Sequence, residues 1–236
     1  MRERRNGVGR RTFLEKAGFG AAAAGAALGV SPAPLLAQSA AAPGAAYQPA
    51  RHAEDDWLDR TLVKHRLFFD ATSAHGFGEA ILFANNFFDG NKNGYGVDQS
   101  DLAVVICARH RATAFAYTDD IWAKYGKALA DRAEFTDPKT KEFPVVNVYR
   151  ASGYGAQLSS LGTTLDAIVK RGVQFAVCQL STRANASVIA RQTGGNVNEI
   201  FDELAAHLVP NARIVPAGIV IVNRAQERGY SIAHAG

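Results

Sequence analysis

The chain has 236 residues, 47% of them hydrophobic and 20% charged, with 26 Lys and Arg against 22 Asp and Glu. The formal charge of +4 is concentrated in the first 42 residues, which hold six basic and two acidic side chains, so the remainder is balanced. That balance excludes the basic excess a nucleic-acid partner demands, and about 190 residues are left for one domain with a sizeable core.

In chain order, Arg10-Arg11-Thr12-Phe13-Leu14 comes first, then an apolar Gly/Ala run from Ala17 to Val30 and a zone of small residues through Ala46. Paired arginines, a short apolar run and small residues are the layout of a secretory signal, and the Arg-Arg-x-Phe-Leu core matches twin-arginine (Tat) export signals. Residues 17–30 are shorter than a bilayer span, and no later stretch is apolar enough for one. The expectation is a signal over 1–42, export through the Tat translocase to the periplasm, and a soluble product. Residues 43–56, Ala/Pro-rich and then acidic, read as a linker, and the domain is expected over 57–236.

Short apolar runs then alternate with helical patterns, which predicts βαβ units around a parallel sheet. The first strand is Arg66–Ala71, followed by a turn at Ser73–Gly76 and a helix from Gly78 to Phe88. Leu102–Ala108 is nearly all apolar, as suits a strand buried on both faces. A helix is expected from about Ala116 to Ala130, with Ile121, Trp122 and Tyr125 at helical spacing. A weaker strand runs from Phe143 to Tyr149, and a helix from Ala156 to Arg171 ends at Gly172. Val173–Leu180 is the next central strand. A helical region broken at Gly194-Gly195 runs to Leu208, followed by a strand at Ile214–Ala217, a helix at Gly218–Arg228 and a last strand at Tyr230–Ala233.

In open parallel sheets ligands bind at the carboxyl ends of the strands. His75 follows the first strand; Arg109, His110 and Arg111 follow the second, with Asp119 beyond its turn; Cys178 stands near the end of the fourth. Cations or a helix N-terminus beside a thiol lower its pKa and make it nucleophilic, whereas a lone Cys on an apolar strand is often core. Cys107 and Cys178 could form a disulfide in an oxidising compartment, which their spacing leaves open. His75, His110 and the cysteines are soft-metal ligand types without a known metal-binding spacing, so no metal is expected. Asp89–Gly94 resembles half a calcium loop, but Ser100 stands where the bidentate Glu belongs, which favours a turn. Gly76-Phe77-Gly78-Glu79 opens a helix and could cradle an anion. It lacks the full dinucleotide pattern, and no cofactor is expected.

From residue 158 onward the motifs are Leu161-x3-Leu165-x2-Ile168-x2-Arg171-Gly172-Val173-x3-Val177-Cys178, then Ile214-Val215-Pro216-Ala217-Gly218, then Ala225-Gln226-x2-Gly229-Tyr230-Ser231-Ile232. Together they resemble the DsrE/DsrF-like family over roughly residues 65–236. The resemblance implies a three-layer α/β/α sandwich around a mainly parallel sheet of five to six strands, and assembly into a homo-oligomer, trimer or hexamer. It also implies a cysteine at a strand end that carries persulfide, and Cys178 looks like that position. The reading is an exported sulfur carrier or thiol-dependent binding protein using Cys178, with Arg109, His110 and Arg111 stabilising a thiolate or sulfur anion, and a sulfur-bearing small molecule or protein as partner. The alternatives are a small-ligand or metal-binding module and a non-catalytic oligomer subunit, both with Cys178 structural.

Overall fold

Five short parallel strands form one sheet in the computed structural model, which describes residues 47–59 and 62–236. They are β1 (His65–Ala71), β2 (Leu102–Ala108), β3 (Gln174–Cys178), β4 (Ala212–Val215) and β5 (Ser231–Ala235), in the order β4-β3-β2-β1-β5. The helices are α1 (Ala74–Tyr95), α2 (Asp119–Ala133), α3 (Leu165–Lys170), α4 (Gln179–Thr193), α5 (Val197–Ala206) and α6 (Gly218–Glu227). All of these belong to Pro49–Gly236, the second of two units into which contacts divide the chain. The export segment expected at 1–42 lies outside the described residues.

The strand order explains where the helices lie. From β1 to β4 the chain steps across the sheet in one direction, and right-handed crossovers keep α1 to α5 on one face. The step from β4 to β5 returns past the whole sheet, so α6 lies on the opposite face. The result is the α/β/α sandwich expected from the sequence, with very unequal outer layers.

Alternation along each strand divides the side chains between two cores. Phe69, Val104, Ile106, Phe175 and Val177 face the five helices and join a ring cluster of Phe77, Phe115, Trp122 and Tyr149. Phe68, Ala103, Val105, Cys107 and Ala176 face α6 and pack with Ile221, Ala225, Tyr230 and Leu58, the last from a 3₁₀ turn at Ala53–Leu58. Small residues here let α6 approach the sheet closely.

Four sequence expectations are corrected. Ser73–Gly76 is the start of α1, with Ser73 Oγ accepting the Gly76 N–H at 2.9 Å. The same helix runs on through Asp89–Gly94, so that segment is no calcium loop. Asn85 donates to Asp89 at 2.9 Å and Arg171 pairs with Asp89 at 2.8 Å, which ties this polar turn down as helix, and Gly96 closes it at φ 66°. Phe143–Tyr149 is not a strand: β2 is already paired on both edges, and Asn147 instead donates its amide to the Phe115 and Tyr117 carbonyls at 2.7 and 2.9 Å. The helix expected at 156–171 shrinks to α3, because Gly155, Leu161 and Gly162 take positive φ values of 52°, 48° and 89°. Thr164 then caps the helix by accepting the Ala167 N–H at 3.2 Å.

Candidate functional site

At the carboxyl end of the sheet the expected site residues separate into three places. Cys178 and Arg109 share the α6 face. His75 and Arg111 line a cavity on the other face. Asp119 belongs to neither: its carboxylate accepts the Asn147 N–H at 2.9 Å and pairs with Arg150 at 3.0 Å, pinning the chain before α3.

The α6 face collects the thiols. Register pairs Cys107 with Ala176 and Ala108 with Val177, so Arg109 follows beside Cys178. Arg109 folds back over the neighbouring strand, donating to Asp70 through Nε at 2.6 Å and Nη2 at 2.8 Å. His234 Nδ1 stands 3.4 Å from the same carboxylate. The Arg109 stem crosses the first residue of α6, where a Cβ on Gly218 would sit 2.6 Å from Arg109 Cβ. Two of its three guanidinium nitrogens are held by Asp70, which fixes the plane of the fork and raises its pKa further.

Cys178 is the N-cap of α4, a helix of 15 residues, with its side chain free of capping duty. Its backbone is clamped from behind. Asn185 donates to Tyr117 Oη at 3.1 Å, Tyr117 to Thr182 Oγ1 at 3.2 Å, and Thr182 to the Cys178 carbonyl at 3.0 Å. All of this chain is buried, and burial pushes the Tyr117 hydroxyl up to about 12. The N-terminus of a helix carries the positive end of the backbone dipoles, so Cys178 stands where an anion is favoured as a ligand. The His110 N–H donates to Ser181 Oγ at 2.9 Å, tying the loop after β2 to the first turn of the same helix. His110 is exposed and held at φ 55°.

Both thiols are buried, Cys178 with 5% of its surface exposed and Cys107 with none. The Cys107 Sγ lies 3.8 Å from the Gly218 carbonyl, and burial first, then Asp70 and Cys178, push its pKa far up. That keeps it protonated and inert. Both cysteines are free. They are diagonal neighbours on adjacent strands, about 8 Å apart at Cα by strand geometry, beyond the ~7 Å reach of a disulfide without backbone movement.

The second place is a cavity of about 280 Å³ lined by Ser73, His75, Arg111, Glu134, Phe135 and Tyr149, among others. The Gly76-Phe77-Gly78 run expected to cradle an anion has a packing role instead. A Cβ on Gly76 would strike the Ala235 carbonyl, and one on Gly78 would lie 2.5 Å from Tyr149 Cε1. Arg111 pairs with Glu134, and His75 Nδ1 lies 3.6 Å from Glu79.

Asp70, His234 and Thr182 were not singled out from sequence, and Gly218 stood there as the end of a family motif. Asp70 did carry a signal, as a carboxylate that follows the apolar run Leu67–Phe69 next to the strand's end. Among the described residues no group of three or more His, Cys, Asp or Glu stands ready to hold a metal ion, and no helix is long and apolar enough to cross a membrane. No protein-family model matches the chain, nor does any curated protein or solved structure.

Proposed function

We propose that this chain is an exported, DsrE-like α/β protein that accepts sulfur on Cys178 and acts as a carrier for a small-molecule or protein partner. The observation that carries the reading is the setting of Cys178: strand end, helix N-cap and register neighbour of an arginine anchored by Asp70. A thiolate is the nucleophile in sulfur transfer, and the helix N-terminus and the arginine place positive charge beside Cys178. The Cys178 sulfur attacks the outer sulfur of a donor persulfide; the donor S–S bond breaks, Cys178 becomes the persulfide, and the donor leaves as a thiolate. The Arg109 guanidinium and the first turn of α4 hold the resulting anion.

Export through the twin-arginine route rests on the sequence of residues 10–30, and a trimer or hexamer on the family resemblance. The exposed Leu180 at the start of α4 and Ile219 and Val220 at the start of α6 support a partner surface at this end.

The test is loading with glutathione persulfide, read by intact mass. Wild type and Cys107→Ser each gain one sulfur, and Cys178→Ser gains none. Equal loading of Cys178→Ser would end the proposal.

A further inference from the structure

The sheet's helix-rich side carries two adjoining cavities, of about 280 and 350 Å³, that share Glu134 and Phe135 as their common wall. That wall is the end of α2. Glu134 is its C-cap at φ 51°, a left-handed conformation unusual for a residue with a side chain, and Lys141 in the second cavity is held at φ 63°. Such conformations gather at ligand clamps.

The polar groups are as informative as the space. Arg111 is the cation of the first cavity, and its acidic partner is Glu134, exposed at the mouth. A pair so open to water contributes little, and another carboxylate can take its place. Lys141 makes no ion pair among the described residues. The apolar lining comes from the Phe135 ring, which lies edge-on to Phe115 at 5.2 Å, with Ala74, Ala133 and Leu158. Tyr149 and Ser159 spend their hydroxyls on the Ala74 and His75 carbonyls, at 2.7 and 2.6 Å, which fixes the floor in advance.

We propose that these cavities form a binding site for a small organic carboxylate with one flat apolar ring. The carboxylate takes the place of Glu134 on Arg111, matching the planar fork with two oxygens, and the ring lies against Phe135. Glu134 is therefore a placeholder that holds Arg111 in position until the ligand displaces it. The volume suits a single-ring molecule, since drug-sized ligands take roughly 300–1,000 Å³. This site lies across the sheet from Cys178 and does not depend on sulfur chemistry.

Benzoate is the probe, titrated into the full chain and followed by calorimetry and amide chemical shifts, with acetate supplying charge without a ring and benzyl alcohol a ring without charge. Benzoate binds at one site and perturbs residues 73–75, 111 and 133–135, while acetate and benzyl alcohol bind about tenfold or more weakly, the cost of losing one of two anchors. Glu134→Gln tightens benzoate severalfold by removing the internal competitor, and Arg111→Met weakens it about tenfold or more. Both side chains are at the surface, so circular dichroism of the variants matches wild type, and Cys178→Ser binds benzoate as wild type does. Saturable binding that survives Arg111→Met unchanged overturns the proposal. So does the absence of saturable binding to both wild type and Glu134→Gln.

Discussion

The two faces of the sheet are built from the same five strands, residue by alternate residue, and they differ in almost everything else. One face turns Phe69, Ile106, Phe175 and Val177 toward five helices, and Phe115 alone meets Phe77, Trp122, Phe135 and Tyr149 at centroid distances of 6.0, 5.3, 5.2 and 5.1 Å. The other turns Ala103, Cys107 and Ala176 toward the single helix α6, and at its carboxyl end replaces apolar side chains by Asp70, Arg109 and His234. Large rings on the first face bury the area that holds the domain together. On the second, Phe68 and Tyr230 supply a ring pair, and the small Ala103, Cys107 and Ala176 leave room for a helix N-terminus, an arginine and a thiol to come close to one another. The difference teaches how one sheet separates the bulk of its apolar packing from the gathering of polar and thiol groups at one edge.

The contrast is broken most directly by truncating one residue on each face. Phe115→Ala removes a fully buried ring from the centre of the aromatic cluster and should cost about 3–5 kcal/mol. Cys107→Ala, equally buried on the α6 face, removes one atom and should cost about 1 kcal/mol. Midpoints of urea unfolding measure both. Comparable losses would mean that the α6 face bears as much of the stability as the ring cluster.

The same division governs what the sequence discloses. β2 is legible as Leu102–Ala108 because both faces bury its side chains and the whole run is apolar. Cys178 and Arg109 are legible as strand-end residues because parallel sheets put ligands there. The 30 or so residues between α2 and α3 are not legible, roughly sixfold the usual loop length. Their order comes from buried polar anchors: Asp137 accepts the Tyr154 hydroxyl at 2.7 Å, and Asn147 caps two carbonyls. Periodicity reports burial of apolar side chains and is silent about such bonds. For the same reason it hides His234, whose partner Asp70 lies 164 residues away, and the bond of Thr182 to Tyr117. The reach of α1 through Asp89–Gly94 is also hidden, since it depends on Arg171 from beyond the loop.

Alkaline pH tests both faces at once. Burial pushes Tyr117 and Tyr149, on the helix-rich side, up to about 12 from the ordinary 10.0, and pushes Cys107, on the α6 side, up from 9.0. Each group is neutral when protonated and has its folded pKa raised. Its contribution is therefore whole below the unfolded pKa and lost as pH climbs toward the folded one. Unfolding free energy should be flat up to pH ~9, fall first through Cys107, and fall more steeply above pH ~10, by about 2–3 kcal/mol for each tyrosine. Cys107→Ala should abolish the first part of the decline, and Tyr149→Phe should reduce the second. A stability curve that stays level to pH ~11 would contradict the burial of all three.

The smallest effect concerns the contact that couples arginine and helix on the α6 face. A methyl group on Gly218 would lie 2.6 Å from Arg109 Cβ and 2.7 Å from Arg109 Cδ, closer than such atoms approach. Gly218→Ala therefore forces either α6 outward or the Arg109 stem aside, an overpacking cost of about 1–3 kcal/mol. Alanine returns up to about 1 kcal/mol through its higher helix propensity. A net loss of about 1 kcal/mol is expected, measured against the urea midpoint of wild type. Moving the stem also strains the two bonds from Arg109 to Asp70, so persulfide loading at Cys178 should slow while Cys107 stays unreactive in the native protein. If Gly218→Ala proves stabilising, α6 has room to spare, and close approach is not what keeps Arg109 beside the thiol. If stability falls while loading at Cys178 keeps its rate, Arg109 packs the helix and has no part in the proposed sulfur transfer.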